Sequence, residues 1–232
     1  MSQPQLLVGL EAKMARVSKH WVAVDQELPP DYPLVLLSGV AGGGFDELAG
    51  RLPGRGEAVR AAELDLKLAR AGYERRKRAV HQWVRDINGW MRAYYRVTPW
   101  FALVRRVPGL GQSYQHWWEA AQEALGMWRR IVADPPAPLP GPWVWPLTCG
   151  DGRTVEQFEE VVKAFVAAWW ALSAPAVELK MARGGLWRAQ GEAAALLMAY
   201  GHGVRARLGQ RGALVRSIPR LWPKHRSKGG SA

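Results

Sequence analysis

Leu66–Arg75 reads LKLARAGYER, and Leu179–Arg188, 113 residues further on, reads LKMARGGLWR. Six of the ten positions are identical, where unrelated stretches of average composition would share about one. The same offset brings Pro33-Leu34 onto Pro146-Leu147, Gly39 onto Gly152, Phe45 onto Phe158 and Glu47 onto Glu160. Near the end of each half the offset slips to 111, where ALVR at 102–105 falls on ALVR at 213–216, Pro108 on Pro219 and Leu110 on Leu221. A slip of two residues is what a loop deletion between helices leaves. Two long copies are too few for an open solenoid and predict like halves that pack face to face. The expected organisation is a first helical repeat over 1–111, a second over 112–223, packed as one domain, and a basic disordered tail over 224–232.

Apolar spacing makes the units helical. Counting every 3.5 residues from Val59 meets Val59, Ala62, Leu66, Ala69, Tyr73, Arg76, Val80, Trp83, Ile87, Trp90 and Tyr94, apolar or aromatic everywhere except Arg76. The spacing predicts a long helix from Glu57 to about Val97, with Pro53-Gly54-Arg55-Gly56 breaking the chain before it and Thr98-Pro99 stopping it. The second copy keeps Leu172, Leu179, Ala182, Leu186, Ala189, Ala193, Leu196 and Tyr200 on the matching seam. Pro175 should kink or restart that helix, and Gly201 and Gly203 should weaken its last turns. Shorter helices are expected over Gln5–Gln26 and Tyr114–Ala133, each followed by a Pro-rich turn. Pro33–Leu37 and Trp143–Leu147 are expected to lie across helices as short extended pieces, without forming a sheet. The fold class is therefore all-α: two tandem copies of a helical-hairpin unit forming a pseudo-symmetric, long-helix four-helix bundle with Pro-rich connections.

The pattern helix–PP–x–PL–x–G–F–helix–LxLARxxR–helix–LVRxxPxL, present twice, resembles an uncharacterised bacterial family of tandemly duplicated all-helical proteins. The resemblance covers most of the chain and rests on structural motifs. It implies the duplicated helical fold and no established activity.

Residues that carry chemistry are sparse. His20, His81, His116, His202 and His225 form no HxxxH or HExxH pair, and the lone Cys149 excludes both a Cys-based zinc site and an internal disulfide. Gly42-Gly43-Gly44 has no following Lys-Ser/Thr and runs into Phe45-Asp46-Glu47, so it reads as a flexible turn and not a phosphate loop. The acids form no obvious pair, and no GxSxG is present. These observations point away from an enzyme, a metal or a cofactor. Pro135–Pro140 contains PxxP but reads as a linker, since Pro29-Pro30 stands at the matching place. The N-terminus shows no signal-peptide pattern. The longest apolar run, Ala164–Val177, is too short to span a bilayer, so a buried core helix and no transmembrane segment are expected. The expected location is cytoplasmic.

Composition matters at two points: 13 Trp, and a net charge of +12 that is unevenly spread. Residues 51–106 hold fourteen Lys or Arg against five acids, and residues 201–232 hold eight against none. The candidate anion or nucleic-acid contacts are Arg75, Arg76, Lys77, Arg78, Arg85, Arg92 and Arg96 in the first zone, with Arg205, Arg207, Arg211 and Arg216 in the second. Most Trp falls on helical seams and is expected to pack the core; Trp143 and Trp145 are the candidate exposed aromatics. The lead reading is a non-enzymatic helical scaffold whose partner is a protein or a second copy of itself. The alternative is electrostatic, sequence-non-specific nucleic-acid binding through the two basic zones. A third is an apolar small molecule held in a Trp-lined cavity between helices. An anionic membrane surface also competes for the basic zones.

Overall fold

The computed structural model describes residues 3–94, 96, 101–102, 104, 106–134, 152–209 and 212–219. Their regular structure is helical, in six elements: α1 (Gln3–Glu27), α2 (Gly42–Tyr94), α3 (Tyr114–Ala133), α4 (Val155–Trp170), α5 (Ser173–Leu208) and α6 (Ala213–Ser217). The chain divides into two compact units, Met1–Ala62 with Glu178–Ala232, and Glu63–Val177. These units divide the chain differently from the sequence repeats. Each takes one shorter helix, the start of one long helical stretch and the end of the other.

In the first unit α1 buries Met14, Val17, Trp21 and Val24, whose spacing of three and four residues makes one helical face. Trp21 packs on Phe45 near the start of α2, with ring centroids 5.3 Å apart, and on Tyr200 of α5 at 4.8 Å. Gly42-Gly43-Gly44, expected as a flexible turn, instead forms the first turn of α2. A Cβ at Gly42 would stand 3.4 Å from the Trp21 indole, so the missing side chain lets the tryptophan lie on the backbone. The expected break at Pro53 is also overturned, because α2 runs through it. Pro53 sits on the exposed side, where the carbonyl its ring leaves free can reach water, while Leu52 and Val59 are buried either side of it. The Pro33–Leu37 piece is anchored by the Leu34 N–H, which donates to Asp25 Oδ1 at 2.8 Å. Leu34 and Leu36 are buried against α5 at Gly203, where an added Cβ would stand 3.0 Å from Leu36 Cδ2. Gly203 does not end the helix; it opens the space this segment needs.

The core of the second unit joins the C-terminal half of α2 (Tyr73, Val80, Val84, Ile87, Met91) to α3 (Trp117, Ala121, Trp128, Ile131) and α4 (Phe158, Val162, Phe165). Aromatic contacts run through it, with Trp83 stacked on Phe158 at 5.3 Å and Tyr73 on Phe165 at 5.6 Å. Trp117 Nε1 donates to the Gly109 carbonyl at 3.2 Å, which ties the segment before α3 to the helix. α4 opens on a capping box: the Gln157 N–H donates to Thr154 Oγ1 and the Thr154 N–H to Gln157 Oε1. Just before it, Arg153 donates to Asp86 Oδ2 at 3.0 Å and lies over the Trp83 ring at 4.6 Å, pinning the α4 entry to α2. The helix breaks after Trp170 and restarts at Ser173, which puts Pro175 in the first turn of α5 where its missing N–H costs nothing. Buried positions drift off the 3.5-residue count along α5, so that Leu197 is buried and Leu196 is not, as a 3.6-residue turn requires.

Candidate interaction surfaces

The run Ala164–Val177 is not the buried core helix its hydropathy suggested. Within it only Phe165 is fully buried. Trp169, Trp170 and Val177 are 37%, 67% and 56% exposed. The cause is geometric: Val162 and Phe165 already commit one face of α4 to the core, and adjacent Trp169 and Trp170 point about 100° apart. Trp169 stacks on Tyr114 at 4.6 Å with the rings 8° from parallel, and that leaves Trp170 outward. Beside them lies a groove of about 510 Å³ lined by Ala69, Gly72, Tyr73, Arg76, Ala164, Ala167, Ala168 and Ala171. By length and composition the Val155–Leu208 stretch is apolar enough to cross a bilayer, and only 11% of its most apolar window is buried. The helix break after Trp170 interrupts it.

The first basic zone is a mixed population. Arg75, Arg78, Arg85, Arg92 and Arg96 are exposed, and Arg76 is half-buried in the groove wall. Lys77 leaves the set of candidate contacts, because it is buried and its ammonium donates to the Gln112 carbonyl at 2.9 Å. In the second zone Arg205, Arg207 and Arg216 are exposed, and Arg205 Nη1 donates to the Gly201 carbonyl at 3.2 Å. Arg211, Trp143, Trp145, the Pro135–Pro140 linker and the basic tail lie outside the described residues. Trp187, 76% exposed on α5, is an outward aromatic that the seam pattern did not single out.

Sequence reading also missed a polar node in the first unit. His20 Nε2 lies 3.0 Å from the Leu214 carbonyl and 3.0 Å from Ser217 Oγ, while Nδ1 lies 2.7 Å from the Tyr200 hydroxyl. A carbonyl only accepts, so Nε2 carries a proton, and in the neutral ring the Tyr200 hydroxyl donates to Nδ1. Ser217 Oγ–H donates to the same carbonyl at 2.9 Å. Burial pushes the Tyr200 hydroxyl far above its ordinary pKa, and the charge of Asp25 adds to the shift. Serine, histidine and tyrosine meet here, but their hydrogen-bonding groups are spent on one another and on the backbone. The node joins α1, α5 and α6.

In the second unit a cavity of about 160 Å³ opens between α2 and α3, lined by Asn88, Arg106, His116, Glu119 and Glu123 among others. Two of its polar groups are engaged locally: Glu119 accepts from Gln115 Nε2 at 2.8 Å, and His116 Nδ1 lies 2.7 Å from Ser113 Oγ. Among the described residues no three His, Cys, Asp or Glu side chains converge as metal ligands. Among the described residues no tryptophan lines this cavity or the Ala-lined groove; Trp117 and Trp128 fill the core instead. Comparison with family models, with curated proteins and with solved structures gives no match.

Proposed function

We propose that this chain is a non-enzymatic helical interaction protein that pairs with a second copy of itself through Ala164–Val177. The observation carrying this reading is the exposure of an uncharged fourteen-residue run of which only Phe165 is fully buried. Contiguous apolar surface of this kind marks contact sites. A second copy suits it because the run itself carries no charge, so two identical surfaces meet there without like charges inside the contact. Each end of the run is bordered by acid and base, Glu160 and Lys163 before it, Glu178 and Lys180 after. Antiparallel pairing about its midpoint therefore offers each charge an opposite one. Trp170 and Val177 are the anchors.

The same reading takes the two halves as copies of one unit, and the register of buried positions supports it. At the 113-residue offset Phe45 and Phe158, Leu52 and Phe165, Leu66 and Leu179, Tyr73 and Leu186, Val84 and Leu197, and Met91 and Val204 are all buried. Gly39 and Gly152 have φ of +78° and +83°, each three residues ahead of a helix start, where a side chain would be strained. Trp21 packs on Phe45 in one unit as Trp128 does on Phe158 in the other.

Sedimentation velocity at micromolar concentration tests the pairing. A dimer insensitive to salt is expected, and Trp170→Glu with Val177→Glu should weaken it about 100-fold or more, as truncated hot spots do. A wild-type chain that stays monomeric would overturn the proposal.

A further inference from the structure

A second surface, separate from the apolar run, points to a different partner. Arg75, Arg78, Arg85 and Arg92 lie on the C-terminal half of α2, and all four are exposed. Their spacing of three, seven and seven residues keeps them on one helical face, because seven residues make close to two turns. They form a line about 26 Å long, with about 10.5 Å between Arg78, Arg85 and Arg92. Gln82 and Gly89 fall between them on that face, exposed and uncharged. Nothing stands within 4 Å of the Cβ position of Gly89, so a ligand can approach the helix backbone there.

Negative charge along the line is already occupied. Between Arg75 and Arg96 the sequence has one acid, Asp86. Its Oδ2 takes Arg153 at 3.0 Å, and its two oxygens take Gln82 Nε2 at 2.8 and 2.9 Å. The Arg85 side chain stays in reach of solvent, 61% exposed, with its Nε 3.9 Å from Asp86. Glu74 borders the N-terminal end.

We propose that this arginine stripe docks the phosphate backbone of nucleic acid without reading its sequence. A rigid row of guanidinium groups suits a partner that carries its phosphates in a row, and each guanidinium can hold a phosphate by two parallel hydrogen bonds. An anionic membrane fits less well. Helices that lie in a bilayer interface insert Trp, Phe or Leu beside their cations, whereas between Arg75 and Arg92 this face presents Gln82 and Gly89. The exposed leucines of α2, Leu64 and Leu68, precede the stripe. Trp90 and Met91 are buried in the core and cannot stack on bases. Binding is therefore carried by phosphate contacts and falls steeply with salt.

The test is fluorescence anisotropy of a labelled DNA duplex of about 20 base pairs, titrated with the full chain between about 50 and 200 mM salt. The stripe variant Arg78→Gln/Arg85→Gln/Arg92→Gln is compared with Arg16→Gln/Lys19→Gln/Arg188→Gln, which removes the same charge from exposed positions elsewhere. Wild type should bind with a steep salt dependence. The stripe variant should lose at least about tenfold in affinity, and its slope of log K against log salt should fall by about 2.7, or about 0.9 for each lost phosphate contact. The control variant should keep its slope within about one unit. Equal losses in the two variants would reduce the effect to net charge and overturn the stripe. So would the absence of binding at the lowest salt, or binding to phosphatidylserine vesicles without binding to the duplex. Circular dichroism of both variants checks that neither has lost its helices.

Discussion

Tyr200 is fully buried with its hydroxyl donating to His20, so its proton is part of the packing of the first unit. Burial also raises the pKa of Tyr73 and Tyr114. A raised pKa means the folded chain keeps a proton that the unfolded chain gives up. The stability these phenols contribute is whole below about pH 10 and is lost as pH rises beyond it. The melting temperature should therefore drop above about pH 10, and Tyr200→Phe should flatten that drop; an unchanged slope would contradict the assignment. The indole N–H groups of Trp21 and Trp128 are buried without a hydrogen-bond partner. Such an orphan donor costs about 1–3 kcal/mol. Trp128→Phe, which removes it with part of the ring, should thus cost less than about 2 kcal/mol in urea denaturation, against about 3–5 kcal/mol for Trp128→Ala. Helical spacing made Trp21, Trp117 and Trp128 legible as core residues. The same counting could not show that Trp170 and Trp187 face outward, although two adjacent tryptophans on one helix cannot share a face. No spacing rule reaches His20, whose partners lie 180 to 197 residues away.

The helices themselves were largely legible. α3 has the bounds its apolar spacing predicts, and α1 extends the expected span by a residue or two. The start of α2 was not, because local glycine and proline signals at 42–44 and 53–56 argue against a helix that burial of Phe45, Leu52 and Val59 holds together. Glycine in α5 shows the same contest between local preference and packing. Gly191 is exposed with nothing within 4 Å of its Cβ position, so Gly191→Ala should stabilise the chain by about 1 kcal/mol. Gly203 instead faces Leu36 Cδ2 at 3.0 Å, and Gly203→Val should destabilise by about 1–3 kcal/mol through overpacking. Thermal melts of the two variants should move in opposite directions. The cations of α2 follow the same logic: seven lie between Arg75 and Arg96, yet helical phase sends Lys77 inward and lines Arg75, Arg78, Arg85 and Arg92 along the outside.

At the scale of the whole chain, charge and hydropathy are separated onto different elements. The arginine stripe occupies α2, and the exposed uncharged run occupies α4 and the start of α5. The sequence displayed both features but not their exposure, because a fourteen-residue apolar run reads the same whether it packs inside a unit or waits for a second copy. Cross-linking separates those two cases most directly. In a Cys149→Ser background, Ala171→Cys puts a thiol beside the midpoint of the run, and Ala195→Cys puts one at another exposed position on α5. Antiparallel pairing predicts that mild oxidation gives a covalent dimer of Ala171→Cys and little of Ala195→Cys, and that adding Trp170→Glu abolishes it. Equal and slow cross-linking of both variants would contradict pairing through Ala164–Val177.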